Sequence, residues 1–172
     1  MNPKICLAIL FLLILSCAPF SQEVMQEVKK DVPFTDVIKA PDAFKGITVA
    51  WGGVVIETVV QADDTLVIVR QTDLDFQKRP INLDTSAGRF IIRHKGFLDP
   101  AIYSKDREVT AVGKIAGKEE RPIGDYRYVY PVIDSQELRL WEKRLPLPYY
   151  HDPWWEWPYP GYYHPWHHPY RW

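Results

Sequence analysis

The chain has only two cysteines, Cys6 and Cys17, both in its first seventeen residues. Residues 18–172 therefore hold no internal disulfide, and their fold must rest on a packed core. An excess of one charge is missing as well. Lys and Arg number 21 against 22 Asp and Glu, a net charge of −1, which leaves no electrostatic footprint for a nucleic-acid partner. Beyond the N-terminal run no segment is apolar enough to cross a bilayer as a helix. No Gly-rich loop has phosphate-cradling spacing, and Gly52-Gly53 lies inside an apolar stretch where it serves geometry. No convincing nucleophile triad can be assembled. Cys17 has another use, and the single His of the central region, His94, sits between Arg93 and Lys95 as a surface residue would. The carboxylate pairs Asp63/Asp64 and Asp73/Asp75, and Asp99 in GFLDP, stand where a turn uses Asp to bond its own backbone. No catalytic residue is identified, and the expectation is a protein that is not an enzyme.

The N-terminal run is ICLAILFLLIL, residues 5–15, preceded by Lys4; its last two residues open the stretch Ile14-Leu15-Ser16-Cys17. It is too short for a comfortable membrane span and has the shape of a signal-peptide core. A small residue just before a Cys at the end of that core resembles the lipobox of bacterial lipoproteins. The resemblance implies cleavage before Cys17, a diacylglyceryl group on its sulfur and an acyl group on its freed amine. Each buried methylene adds about 0.8 kcal/mol, so several chains anchor the protein stably to membrane lipid without spanning it. Ala18 stands where an Asp would retain a lipoprotein in the inner membrane, so the resemblance also implies the outer membrane. No other cofactor is expected.

The sequence divides into a signal peptide (1–16), a lipidated tether (17–33), a β-domain (34–145) and a Trp/Tyr/Pro/His-rich tail (146–172). The tether, APFSQEVMQEVKKDV over residues 18–32, is polar and lifts the domain off the lipid, with room for a short helical turn. Pro41 to Gly46 reads as one helical turn. The next hundred residues read as strands: Ile47–Val60, bent or bulged at Gly52-Gly53; Thr65–Gln71, returning after a turn at 61–64; Arg89–Arg93; Glu108–Gly117; and Tyr126–Trp141, interrupted at Pro131 and so placed at an edge or bend. Five strands, a bent first strand and no strong amphipathic helix predict an all-β fold, a small five- or six-stranded OB-like barrel. A sandwich remains open at this point.

Trp51-Gly52-Gly53-Val54-Val55, Gly88-Arg89-Phe90, Gly96-Phe97-Leu98-Asp99-Pro100, Val109 to Gly117, Tyr126 to Val132 and Leu140-Trp141 follow one another in that order. In order and spacing they resemble the Slp family of starvation-inducible outer-membrane lipoproteins, over roughly residues 34–142. What the resemblance implies is a periplasm-facing lipoprotein of the Gram-negative outer membrane, acting in envelope maintenance or in starvation and stress. It carries over no catalytic residue. The alternative is a periplasmic binding module whose barrel face and aromatic tail capture a glycan, lipopolysaccharide or a protein partner. Arg70, Arg89, Arg93, His94 and Lys95 would supply such a face with a positive patch, able to meet anionic headgroups.

The tail closes on PYYHDPWWEWPYPGYYHPWHHPYRW. Its His151, His164, His167 and His168 include an HxxHH spacing, and imidazoles can ligate Zn, Cu or Ni. A helix would be needed to align that spacing, and Pro165 and Pro169 oppose one. His164, His167 and His168 are thus weak candidates and no dedicated metal site is expected. The aromatics carry more: Trp154, Trp155, Trp157, Tyr162, Tyr163, Trp166 and Trp172 are candidate contacts to a membrane or a partner. Trp and Tyr favour the membrane–water interface because ring and polar tip are both satisfied there. The same rings can stack on sugars, or fold back over the barrel.

Overall fold

The structure, a computed structural model, describes residues 20–29 and 31–144. Five strands close into one barrel: β1 (Thr48–Val60), β2 (Asp64–Thr72), β3 (Arg89–Lys95), β4 (Glu108–Ile123) and β5 (Tyr126–Leu140). They run in the order β1-β2-β3-β5-β4 and back to β1. All neighbours are antiparallel except β3 and β5, which pair in parallel from Ile91↔Val132 to Arg93↔Asp134. This is the OB-like barrel that the sequence predicts, and the sandwich is excluded. At the upper end β1 turns into β2 and both β3 and β5 finish. At the lower end β1 begins and β2 finishes.

β1 closes the barrel because it serves two partners. Its first half pairs with β4 (Thr48↔Lys114 to Val54↔Glu108), and its second half pairs with β2 (Gly52↔Thr72 to Val60↔Thr65). The two ladders overlap at Gly52–Val54, and the register slips one residue at Ile56. The expected bend is therefore split. Gly52-Gly53 gives the close approach, and the bulge comes a few residues later. A Cβ on Gly53 would lie 1.9 Å from the Arg70 carbonyl oxygen. Gly113 does the same work on β4, where a Cβ would lie 2.1 Å from the Asp134 oxygen.

Strand alternation then produces two cores. Val49, Trp51, Val55, Val67, Val69, Phe90, Ile92, Val109, Ala111, Ile115 and Ile133 fill the interior. The helical turn α2 (Phe34–Val37) plugs it from below, with the Phe34 ring edge-on to Trp51 (4.9 Å) and to Phe90 (6.0 Å). Leu98 and Tyr103, from the 96–107 connection, add to the same core. Residues of the opposite parity, Leu66, Ile68 and Ile91, point outward and are still buried. The β4–β5 hairpin covers them, with Tyr130 and Val132 joining the cluster and Ile123 and Tyr128 packed against it. β4 therefore outruns its expected end at Gly117 by six residues. KEERPI reads as loop because its far side faces water, while the ladder Lys118↔Pro131 to Ile123↔Tyr126 keeps it a strand.

Two expectations need correction. The segment meant as a tether is held to the barrel from Phe20 onward. Phe20 is buried, and Ser21 caps the helix α1 (Gln22–Glu27) while donating from its amide and hydroxyl to Glu137. Lys29 N–H donates to the Thr48 carbonyl. Nor does Pro131 interrupt its strand, since β5 runs through it. The edge reading holds in another form: the ladder to β3 starts one residue later, at Val132, so no partner on that side needs the missing N–H. The helical turn at Pro41–Phe44 forms as a 3₁₀ turn, ended by Gly46 at a φ of +83°.

Candidate functional site

A groove of about 380 Å³ lies between the outer sheet face and the β4–β5 hairpin. Ile56 and Glu57 at the bulge of β1, Ile68 of β2 and Arg89 of β3 form one side; Arg121, Pro122 and Ile123 of β4 and Tyr130 of β5 form the other. The slip at Ile56 turns β1 so that Ile56 and Glu57 both border the opening. Tyr126, Tyr128 and Tyr130 share one face of β5 by the period-2 rule, with centroids 6.5 and 4.7 Å apart. The Tyr128 hydroxyl accepts from the Arg89 N–H at 2.9 Å, tying the hairpin to the start of β3.

The groove's charges are unevenly matched. Arg121 is paired with Glu119 at 2.7 Å. The Arg89 guanidinium and the Glu57 carboxylate have no hydrogen-bond partner among the described residues, and Arg89 stands directly across from Arg70. Like charges placed opposite each other oppose sheet formation, and Arg70 relieves this by donating to the Leu83 carbonyl at 2.6 Å. Arg89 is left to solvent or a ligand. The groove thus combines an apolar floor, the Tyr130 ring, and a guanidinium and a carboxylate without partners among the described residues.

The positive patch expected from Arg70, Arg89, Arg93, His94 and Lys95 does not form as a unit. Arg93 donates to Asp134 at 2.6 Å, and that hydrogen bond raises its already high pKa further. His94 Nδ1 lies 3.0 Å from the Ser135 hydroxyl. Arg89, Arg93 and Lys95 share the outward parity of β3, but the buried Ile91 stands between Arg89 and Arg93, and His94 has the opposite parity. Of the carboxylates read as turn residues, Asp75 accepts from the Gln77 and Arg79 amides, each at 2.8 Å, and Asp99 accepts from Ala101 at 2.8 Å. Asp73 accepts instead from the Asn82 side chain at 3.1 Å, and Asp64, the first residue of β2, keeps a buried Oδ1 without a hydrogen-bond partner among the described residues.

Cys17, the aromatics Trp154, Trp155, Trp157, Tyr162, Tyr163, Trp166 and Trp172, and His164, His167 and His168 lie outside the described residues. Among the described residues no group of three or more His, Cys, Asp or Glu could hold a metal ion. Sequence reasoning missed Arg121, Tyr128 and Tyr130. The Tyr-x-Tyr-x-Tyr alternation from Tyr126 was the available signal, and β4 ended too early in the reading to face it.

A second constellation fixes the point where the chain leaves the barrel. Glu108, its side chain 10% exposed, accepts from Arg79 (3.0 Å) and Arg144 (2.7 Å). Arg144 also donates to the Pro80 carbonyl. Trp141 donates its indole N–H to Thr110 at 3.0 Å, and the Arg139 guanidinium stands 4.7 Å from its ring centroid. The long 73–88 connection is clasped to β4 and to the end of β5.

The family model for the outer membrane lipoprotein Slp family matches residues 14–170. The outer membrane protein Slp of Escherichia coli K12 is 28% identical over 77% of the chain and 71% of its own length. A lipoprotein of the same organism, described as uncharacterized, is 30% identical over 75% of the chain and 72% of its own. A Haemophilus influenzae protein, likewise described as uncharacterized, is 32% identical over 62% of the chain, which spans 58% of that relative. No solved structure matches the chain.

Proposed function

The chain belongs to the outer membrane lipoprotein Slp family, and from that premise we propose that it is a non-catalytic module held to lipid through Cys17. It is an outer-membrane lipoprotein of the Gram-negative envelope. The observation that carries the anchor is the reach of the family match. The match starts at residue 14 and so takes in Ile14-Leu15-Ser16-Cys17. A thioether-linked diacylglyceryl and an N-acyl chain on Cys17 would bind membrane lipid beyond the reach of a single acyl chain. The service we assign is envelope maintenance under starvation or stress, without chemistry of its own. Its support is that Glu108, a buried carboxylate, is saturated by two arginines, and that Asp75 and Asp99 are spent on backbone amides. Growth with a labelled fatty acid tests the anchor. Wild type should take up label and Cys17→Ser should lose it; equal label in both overturns the reading.

The groove supports a second reading, a binding module in the periplasm. The Arg89 guanidinium, without a partner among the described residues and lining the groove with Tyr130 and the Ile56/Ile68 floor, favours an anionic glycan or a lipopolysaccharide fragment over a neutral one. Titration of Arg89→Ala against wild type with a phosphorylated glucosamine disaccharide tests it. Equal affinity removes Arg89 from any binding role.

A further inference from the structure

Three large apolar side chains are exposed around the upper end of the barrel: Val60 (43%), Phe97 (70%) and Ile102 (51%). They belong to one surface. Val60 pairs with Thr65, whose hydroxyl donates to the Gly96 carbonyl (2.8 Å) and accepts from the Leu98 N–H (3.0 Å), so Thr65 borders both Val60 and the backbone on either side of Phe97. The Gly96 N–H donates to Asp63 in the β1–β2 turn at 3.0 Å. Thr58, two residues before Val60, donates to the Tyr103 carbonyl at 2.7 Å, which sets Ile102 beside the same strand end. Between Gly96 and Ile102, in GFLDPAI, only Asp99 is charged, and it is occupied in its own turn.

Both ends of the described chain converge on this end. Arg107 donates to the Ile102 carbonyl (3.1 Å) and to the Trp141 carbonyl (2.9 Å), so the exit toward the aromatic tail adjoins the apolar loop. At the other terminus α1 runs from Ser21, on Glu137 near the finish of β5, to Glu27, on Thr48 at the start of β1. Glu27 also accepts from Gln136 at 3.4 Å, so the helix crosses from β5 towards β1, and Ser21 is held three residues short of the β5 finish at Leu140. Cys17 precedes the buried Phe20 by three residues, which can span no more than about 11 Å when fully extended. A leash that short cannot let the domain tumble freely above a bilayer.

We infer that the upper end of the barrel, through Val60, Phe97 and Ile102, is a membrane-docking surface that seats the domain directly on the lipid leaflet holding its anchor. The inference rests on lipidation at Cys17. Once the anchor is in the bilayer, docking is intramolecular, so three apolar side chains can hold an orientation that free protein would not adopt. The lower end, with the turn Gly124-Asp125 between β4 and β5, then points away from lipid.

The test uses the lipidated chain in vesicles of phosphatidylethanolamine and phosphatidylglycerol. One cysteine is introduced by Phe97→Cys, or by Asp125→Cys at the far end, and carries an environment-sensitive fluorophore; both sites are exposed or in a turn, so the fold is spared. Flotation reports anchoring, and a lipid-borne quencher reports depth. The expected result is flotation of both proteins, with a blue shift and loss of emission at position 97 and neither at 125. Flotation with an aqueous signal at 97, or with equal signals at both sites, overturns the docking surface and leaves the anchor standing. Protein that fails to float overturns both. Protection of position 97 only after adding outer-membrane proteins would instead assign the surface to a protein partner.

Discussion

Gly53 shows how much one absent side chain decides. The position must admit the β2 backbone at a distance no Cβ tolerates, because β1 is gripped from both sides there. Gly53→Ala should destabilise the fold by roughly 3 kcal/mol, at the upper range of overpacking effects, read as a lower midpoint in urea denaturation. Glu108 illustrates the opposite case, a side chain whose charge is needed. Glu108→Ala leaves Arg79 and Arg144 without their carboxylate in a partly buried clasp. A loss of about 2 kcal/mol is expected, below the range for fully buried pairs because both arginines retain access to water. Glu108→Gln should recover part of it, and chemical denaturation of the three proteins checks the order.

Among the elements the β4–β5 hairpin does the most to individualise this barrel. A minimal barrel would leave the outward side chains of β2 and β3 in water. Here Leu66, Ile68 and Ile91 are hydrophobic because the hairpin lies over them, and the uncovered strip between is the groove. Tyr130→Ala should cost about 3 kcal/mol, as for other large aromatic truncations. It should also speed amide exchange in 118–132 more than in β1, which an exchange experiment on wild type and variant resolves. Equal acceleration everywhere would mean that the hairpin and barrel unfold as one unit. α1 belongs to the same lesson, since a polar hexamer was legible as a tether and became a packed element through Ser21 and Glu137.

At the scale of the whole molecule the two termini set the behaviour. The family match extends to residue 170 and therefore includes the aromatic tail, well past the stretch near residue 142 where the recognisable motifs stop. If the tail is an interfacial contact, truncation after Leu145 in an unlipidated Cys17→Ser background should lower association with liposomes several-fold, because Trp and Tyr side chains supply the interfacial affinity. Sedimentation with vesicles measures it. Unchanged association together with binding to purified peptidoglycan would move the tail to the glycan reading.

The sequence by itself determined the class of fold, the strand count, the near absence of helix and the membrane address. The first three are written in local pattern, β-branched alternation with Gly and Asp at turns, and the address follows from the resemblance to a family. Tertiary structure alone decided the rest. Which face of β2 and β3 would be covered depended on a hairpin whose own sequence, KEERPI, argues against a strand. Whether residues 20–29 would hang free depended on Glu137, more than a hundred positions away. That Arg70, Arg93 and His94 would find partners while Arg89 and Lys95 have none among the described residues depended on where Asp134, Ser135 and Leu83 came to lie. Local propensity sees the neighbours in sequence, and these outcomes were set by neighbours in space.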